Sequence, residues 1–161
     1  MTKFEQLRVD VTNRVKAEKQ YWDSLHEVAK NFGPEFSKYL ELESNEALDS
    51  NGDPVAIIRT GRNNNGEFEQ CAYWQLDRQG RELSFILFLR LPGKNSMHTE
   101  VSLSVKIALS KPDIYGTSLN IKTGSMLYDV TCEEINGQLN LFPFFDALYE
   151  ELQNKINVQS L

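Results

Sequence analysis

"RELSFILFLRL", residues 81–91, decides how this chain is read, because its apolar residues divide into two sets facing opposite ways. Leu83, Phe85, Leu87 and Leu91 recur with a period of two, the side-chain period of a β-strand, so they share one face. The preceding stretch "EFEQCAYWQLD", residues 67–77, has the same alternation and is joined by "RQG", which predicts an antiparallel hairpin. Setting Asp77 opposite Glu82 places Leu76 beside Leu83, Trp74 beside Phe85, Ala72 beside Leu87 and Phe68 beside Leu91, all on the core side. "MHTEVSLSVKIAL", residues 97–109, adds a third strand if Leu91 faces Met97, which brings Val101, Leu103 and Val105 against Leu87, Phe85 and Leu83.

The second set carries the functional expectation. Tyr73, Ile86 and Phe88, with Cys71, project away from that core, whereas a sheet with one wet face alternates more cleanly between apolar and polar. Something must cover them. One expectation is intramolecular, with the C-terminal helix on this face and the long N-terminal helix on the other. The functional expectation is that another protein, or a second copy of this chain, binds Tyr73, Ile86 and Phe88, with Arg90 and Glu100 as a charged rim. An alternative places a small-molecule pocket between a curved sheet and the N-terminal helices, a cone similar to the NTF2-like architecture, with Gln70, Trp74 and Tyr128 on the inward face.

Outward from the sheet, Thr2 and Glu5 form a capping box that starts a helix. Phe4, Leu7, Val11, Val15, Trp22, Leu25 and Ala29 then recur at helical spacing and give it an apolar stripe about eight turns long, interrupted only by Glu18. "NFGPEF" supplies a stop, with Gly33 as cap and Pro34 opening a second helix through Phe36, Tyr39 and Leu40. "VAIIRT" reads as a strand between two turn clusters, "SKPDIYG" as a loop, and "TSLNIK" and "MLYDVT" as strands about a turn at Thr123 and Gly124. Phe144, Leu148, Leu152 and Ile156, at four-residue steps, close the chain with an amphipathic helix that starts near Asn140 or Pro143. The expected fold is a single α+β domain over residues 1–161: two N-terminal helices, the first one long, about six mostly antiparallel strands in a meander, and a C-terminal helix.

Composition narrows the function. A net charge of −6 disfavours nucleic acid as a partner, because that affinity comes largely from lysine and arginine displacing counterions. No segment has the length and apolarity of a membrane span and the first residues do not resemble a signal peptide, so no membrane is expected and the cytoplasm is the expected address. Cys71 and Cys132 have no metal-ligand or redox spacing and are expected as reduced thiols; no metal and no cofactor are expected.

Several motifs resemble chemical sites and lack an essential part. "GRNNNGEFEQ" has two glycines five apart, but a strand rather than a helix follows, and Glu67 stands where a phosphate loop has lysine; Asn65-Gly66 is a hairpin turn. "DSNGDPVAIIRT" has alternating oxygen ligands, yet Pro54 and Thr60 occupy the positions of the required glycine and glutamate of a calcium loop. "KTG", residues 122–124, has no accompanying SxxK nucleophile. Cys71, Glu69, His98 and Glu100 would share a sheet face in the register above, raw material for acid-base or nucleophilic chemistry that charges dressing an exposed face explain better.

The order of elements is broadly similar to that of acidic bacterial secretion chaperones, although those place a helix within the strand series where this chain has "SKPDIYG". The resemblance implies a protein-binding role. The expected function is a non-enzymatic module that binds another protein, of the adaptor, secretion-chaperone or inhibitor kind.

Overall fold

The computed structural model describes residues 1–49, 51–93, 98–110 and 121–159. It opens on one 37-residue helix, α1 (Lys3–Tyr39), whose capping box forms: the Thr2 hydroxyl accepts from the Glu5 amide and the Glu5 carboxylate from the Thr2 amide. The expected break at Gly33-Pro34 does not occur, so one helix replaces the two anticipated at the N-terminus. The physical reason lies in the pair itself. A proline disfavours helical geometry in the preceding residue chiefly through that residue's Cβ and amide, and glycine has no Cβ. The one hydrogen bond lost at Pro34 is outweighed by Phe32 and Phe36, which flank it and are fully buried.

A small hairpin of β1 (Glu46–Leu48) and β2 (Pro54–Ala56) follows, then β3 (Ile58–Asn64), β4 (Glu67–Gln70), β5 (Asp77–Gln79), β6 (Glu82–Pro92), β7 (His98–Leu109), β8 (Ile121–Gly124) and β9 (Asp129–Cys132). A two-residue-per-strand hairpin, β10 (Glu134–Ile135) and β11 (Gln138–Leu139), leads to α2 (Phe142–Gln159). Seven strands make one antiparallel sheet in the order β4-β3-β6-β7-β8-β9, with β5 beside β6. The fold is α+β, with two helices among the described residues.

The order departs from a simple meander because "EFEQCAYWQLD" is not one strand. Asn65 and Gly66, at φ 52° and 87°, turn β4 back along β3 instead of towards β6. β3 takes the edge of β6 through Ile58↔Leu89 and Gly61↔Ile86, and Tyr73–Gln75 forms a single 3₁₀ turn. Only β5 reaches β6, with Asp77 opposite Ser84 rather than Glu82. The expected Trp74–Phe85, Ala72–Leu87 and Phe68–Leu91 pairs are therefore replaced. β6 and β7 pair two residues away from the expected register, Leu87 with Leu103, and an even slip leaves every side chain on its expected face. The turn anticipated at Thr123 and Gly124 falls one step later, where the Ser125 hydroxyl accepts from the Leu127 and Tyr128 amides. "SKPDIYG" beyond Ser110, and Met97 as a partner of Leu91, lie outside the described residues.

Both helices pack on the same sheet face. The Phe32 ring meets Phe85 of β6 at 5.0 Å and Phe144 and Phe145 of α2 at 6.2 and 5.3 Å. Alternate residues of β6 and β7, from Leu83 to Leu89 and from Val101 to Ile107, are buried beneath them. The expected division, one helix to each face, is thus corrected.

The core ends at Tyr21. Residues 1–20 of the chain are all exposed, so Phe4, Leu7, Val11 and Val15, expected in the core, stand 61% to 68% open to solvent. The β5–β6 turn marks the end of the body: Arg81 grips both Glu18 carboxylate oxygens at 3.0 and 2.9 Å, its guanidinium lies 3.8 Å from the Tyr21 ring centroid, and the Tyr21 hydroxyl donates to the Arg81 carbonyl.

Candidate functional site: the open sheet face

Opposite the helices, β6 presents Ser84, Ile86, Phe88 and Arg90, and β7 presents Lys106, Ser104, Ser102 and Glu100. At one end of this face the Arg90 charge reaches Asp49 in the turn between β1 and β2. Ile86 and Phe88 are half-buried, whereas Ser102 and Ser104 are exposed, so the floor is a narrow apolar strip beside small hydroxyls. A cavity of about 370 Å³ crosses it, with Ser84, Ile86 and Ser104 at the base and Arg62, Lys106 and Met126 at the sides.

Phe88 owes its partial burial to its neighbours on this same face. Its ring stacks on Phe68 at 4.7 Å, and the Arg59 guanidinium covers both rings at 4.8 and 5.4 Å. Such cation–π contacts hold the aromatic pair in place and leave a cationic rim. Gly61 makes the cluster feasible: a Cβ there would stand 2.1 Å from the Glu69 carbonyl oxygen and 2.9 Å from the Phe68 ring. Gly61, read from the sequence as part of a turn, lies within β3, and a glycine inside a strand is the one signal that could have marked this close approach.

Of the five residues expected to bind a partner, four share this face. Ile86 and Phe88 lie on the floor, and Arg90 and Glu100 are a directly opposed cross-strand pair at one end, where Arg90 Nη2 also lies 3.0 Å from His98 Nε2. Tyr73 does not join them. The 3₁₀ turn sends it to the helix side, 6.0 Å from the His26 ring, with the Lys30 ammonium 5.9 Å from its centroid. Burial, and then the charge of Arg78, hold His26 below its ordinary value there.

The alternative pocket residues are not brought together. Gln70 is exposed on β4 at one edge of the sheet, Trp74 is 65% exposed on the 3₁₀ turn, and Tyr128 sits at the other edge before β9. Burial, followed by the neighbouring Glu150 carboxylate, pushes the Tyr128 phenol up. Gln70 and Trp74 were expected on the core side and are corrected to solvent: β4 pairs with β3, Gln70 opposite Gly61, which turns Gln70 to the side of Ile86, and the break after β4 reorients Trp74.

The Cys71, Glu69, His98 and Glu100 neighbourhood is likewise dispersed. Glu69 of β4 accepts from Arg62 of β3 at 3.1 Å, whereas His98 starts β7, three strands from β4 and at the far end of β6. Burial pushes the Cys71 thiol up, against the opposing effect of Arg62. Asp49 of the calcium-like turn directs its carboxylate to its own loop, accepting from the Asn51 and Asp53 amides, which holds it below the usual carboxylate range. No described cluster of three or more His, Cys, Asp or Glu side chains is arranged to hold a metal, and no described helix is long and apolar enough to cross a membrane.

Comparison of this chain with family models, curated proteins and solved structures returned no match.

Proposed function

We propose that this protein is a non-enzymatic protein-binding module, of the adaptor, chaperone or inhibitor kind, and that it receives a segment of another protein on the open sheet face. One observation supports the reading: the described helices pack on one side of the sheet, while the other side carries Ile86, Phe88 and Phe68, each half-buried. An apolar strip rimmed by charge is the composition of a docking surface rather than of an ordinary solvated face. Ser102 and Ser104 leave room for the incoming side chains, and Arg59, Arg90 and Glu100 supply polar contacts at the margin.

A photo-crosslinking residue at Ser102 or Ser104, introduced in the native cell, tests this. Both side chains are exposed and outside the core, so the fold is expected to survive. The expected result is a discrete protein adduct from both positions, absent from a control at Asn31 on α1 and abolished when Ile86→Lys fills the floor with charge. No adduct at either serine, or one indifferent to Ile86→Lys, would overturn the proposal.

A further inference from the structure

The exposed arm of α1 presents a second surface, independent of the sheet face. Its stripe continues the buried side of the helix: Trp22, Leu25 and Ala29 lead back through Val15, Val11, Leu7 and Phe4 in the same helical phase. Four large apolar side chains on one face of a projecting helix are an unpartnered surface.

The spacing suits a second copy of the same helix. Positions 4, 7, 11, 15 and 18 are separated by steps of three, four, four and three, a series that reads the same in both directions. Two copies laid antiparallel about Val11 place Val11 on Val11, Leu7 against Val15, and Phe4 against Glu18, whose carboxylate is already turned to Arg81. A two-fold interface requires such self-complementarity, which the four apolar positions meet at Val11 and at Leu7 with Val15.

The flanking charges agree. On one side of the stripe Asp10 of each copy comes near Arg14 of the other, and on the opposite side Arg8 comes level with Thr12 rather than with another cation. Residues 1–20 hold five basic and three acidic side chains, so an arrangement that sets basic directly against basic along both flanks would repel. The antiparallel register avoids it. With about two-thirds of each stripe residue available for burial, the paired arms approach the roughly 1,000 Å² at which specific interfaces begin.

We infer that this chain forms a two-fold dimer through antiparallel pairing of its N-terminal helical arms. The competing seat for a basic arm is the groove of about 740 Å³ between α1 and the β10–β11 hairpin, whose walls carry Asp23, Glu27, Glu35 and Glu134. Asp10→Arg on its own separates the two, because it opposes Arg14 of the other copy in paired arms and weakens the dimer, whereas it makes the arm more basic and would tighten its hold on the acidic groove.

The test is sedimentation velocity on the full chain over a concentration series, with circular dichroism to verify the helix. The wild type is expected to dimerise with Kd on the order of 10 μM, as a small interface would. Val11→Asp, at an exposed site, is expected to be monomeric with unchanged helicity. Arg14→Asp turns each attractive contact with Asp10 into a pair of opposed carboxylates and is expected to weaken the dimer at least about tenfold. Adding Asp10→Arg is expected to restore it by exchanging the two charges. A monomer throughout the series, a dimer unmoved by Val11→Asp, or a loss on Arg14→Asp that Asp10→Arg leaves uncorrected would each overturn the inference. The sheet-face proposal does not depend on any of these results, because Ser102 and Ser104 lie on the other side of the sheet.

Discussion

Replacing Pro34 by alanine gives opposite outcomes for the two ways of folding residues 3–39, and so tests why one helix forms instead of two. In a continuous helix Pro34 supplies no donor to the Lys30 carbonyl, and its ring crowds that turn. Its side chain is exposed, so alanine removes little packing. The helix-interior scale sets proline about 3 kcal/mol below alanine. Part of that cost is already relieved, because Gly33 eliminates the Cβ clash and the helix passes through unbroken. The expected gain is therefore about 1 to 3 kcal/mol, equivalent to a rise in Tm of roughly 3 to 10 °C for a domain of this size. If a second helix instead began at Pro34, the proline would stand at a position that favours it, and alanine would lower Tm or leave it unchanged. Thermal unfolding followed by far-ultraviolet circular dichroism, paired with guanidinium unfolding to verify an unchanged m-value, reads the sign directly. A fall in Tm, or no change, refutes the account of the uninterrupted helix.

Three further outcomes follow from named contacts. Gly61→Ala should destabilise the fold by roughly 2 to 3 kcal/mol in guanidinium unfolding, because the new Cβ meets the Glu69 backbone oxygen and the β3–β4 hairpin must give way; wild-type stability would contradict the closeness of the two strands. Burial, aided by the hydrogen bond to Asp146, pushes the Tyr39 phenol up to about 12 from its ordinary 10. A folded-state value above the unfolded one means that the contribution of Tyr39 is complete below pH 10 and is lost as pH rises towards 12. The stability difference between wild type and Tyr39→Phe should accordingly shrink as pH climbs from 10 to about 12, and a constant difference would exclude it. Cys132 is buried and Cys71 only half-buried, both with thiols pushed up by burial. A thiol reagent near neutral pH should label Cys71 slowly and Cys132 only after unfolding, and prompt labelling of Cys132 would contradict its placement.

How far the sequence was legible depended on which physical quantity each reading needed. The faces of β6 and β7 were legible because they depend only on whether a residue number is odd or even, so the two-residue error in register moved no side chain to the wrong side. Edge strands lacked that protection. The alternation of "EFEQCAYWQLD" continues through a 3₁₀ turn that pattern alone does not mark, and with the break Tyr73 moved to the helix side and Trp74 to solvent. The arm was misread for a different reason. Periodicity shows that Phe4 to Val15 form a stripe but not whether anything lies beneath it. Length supplied the missing clue: α1 spans about 55 Å at helical rise, while the 11 residues of β6 extend only about 36 Å. A helix that outreaches its sheet must leave one end uncovered.

Arm pairing and sheet-face docking together have a consequence that neither has alone. The stripe on the arm continues the core-facing side of α1, whereas the docking face lies on the opposite side of the sheet, so pairing of the arms consumes none of the surface around Ser102 and Ser104. A dimer built this way carries two open sheet faces related by a two-fold axis. A shallow, mixed-polarity surface such as the strip around Ile86 and Phe88 supports weak binding by itself, because much of its contact is with hydroxyls and partly screened charge. Duplication alters that for a partner presenting two copies of the recognised segment, since the second contact becomes intramolecular and avidity rises about 10²- to 10⁴-fold without any new interaction. Single-segment ligands gain nothing. Binding of a tandem ligand should therefore fall to the single-segment level in Val11→Asp while single-segment binding stays unchanged, and equal loss of both would mean that the arm contacts the ligand itself.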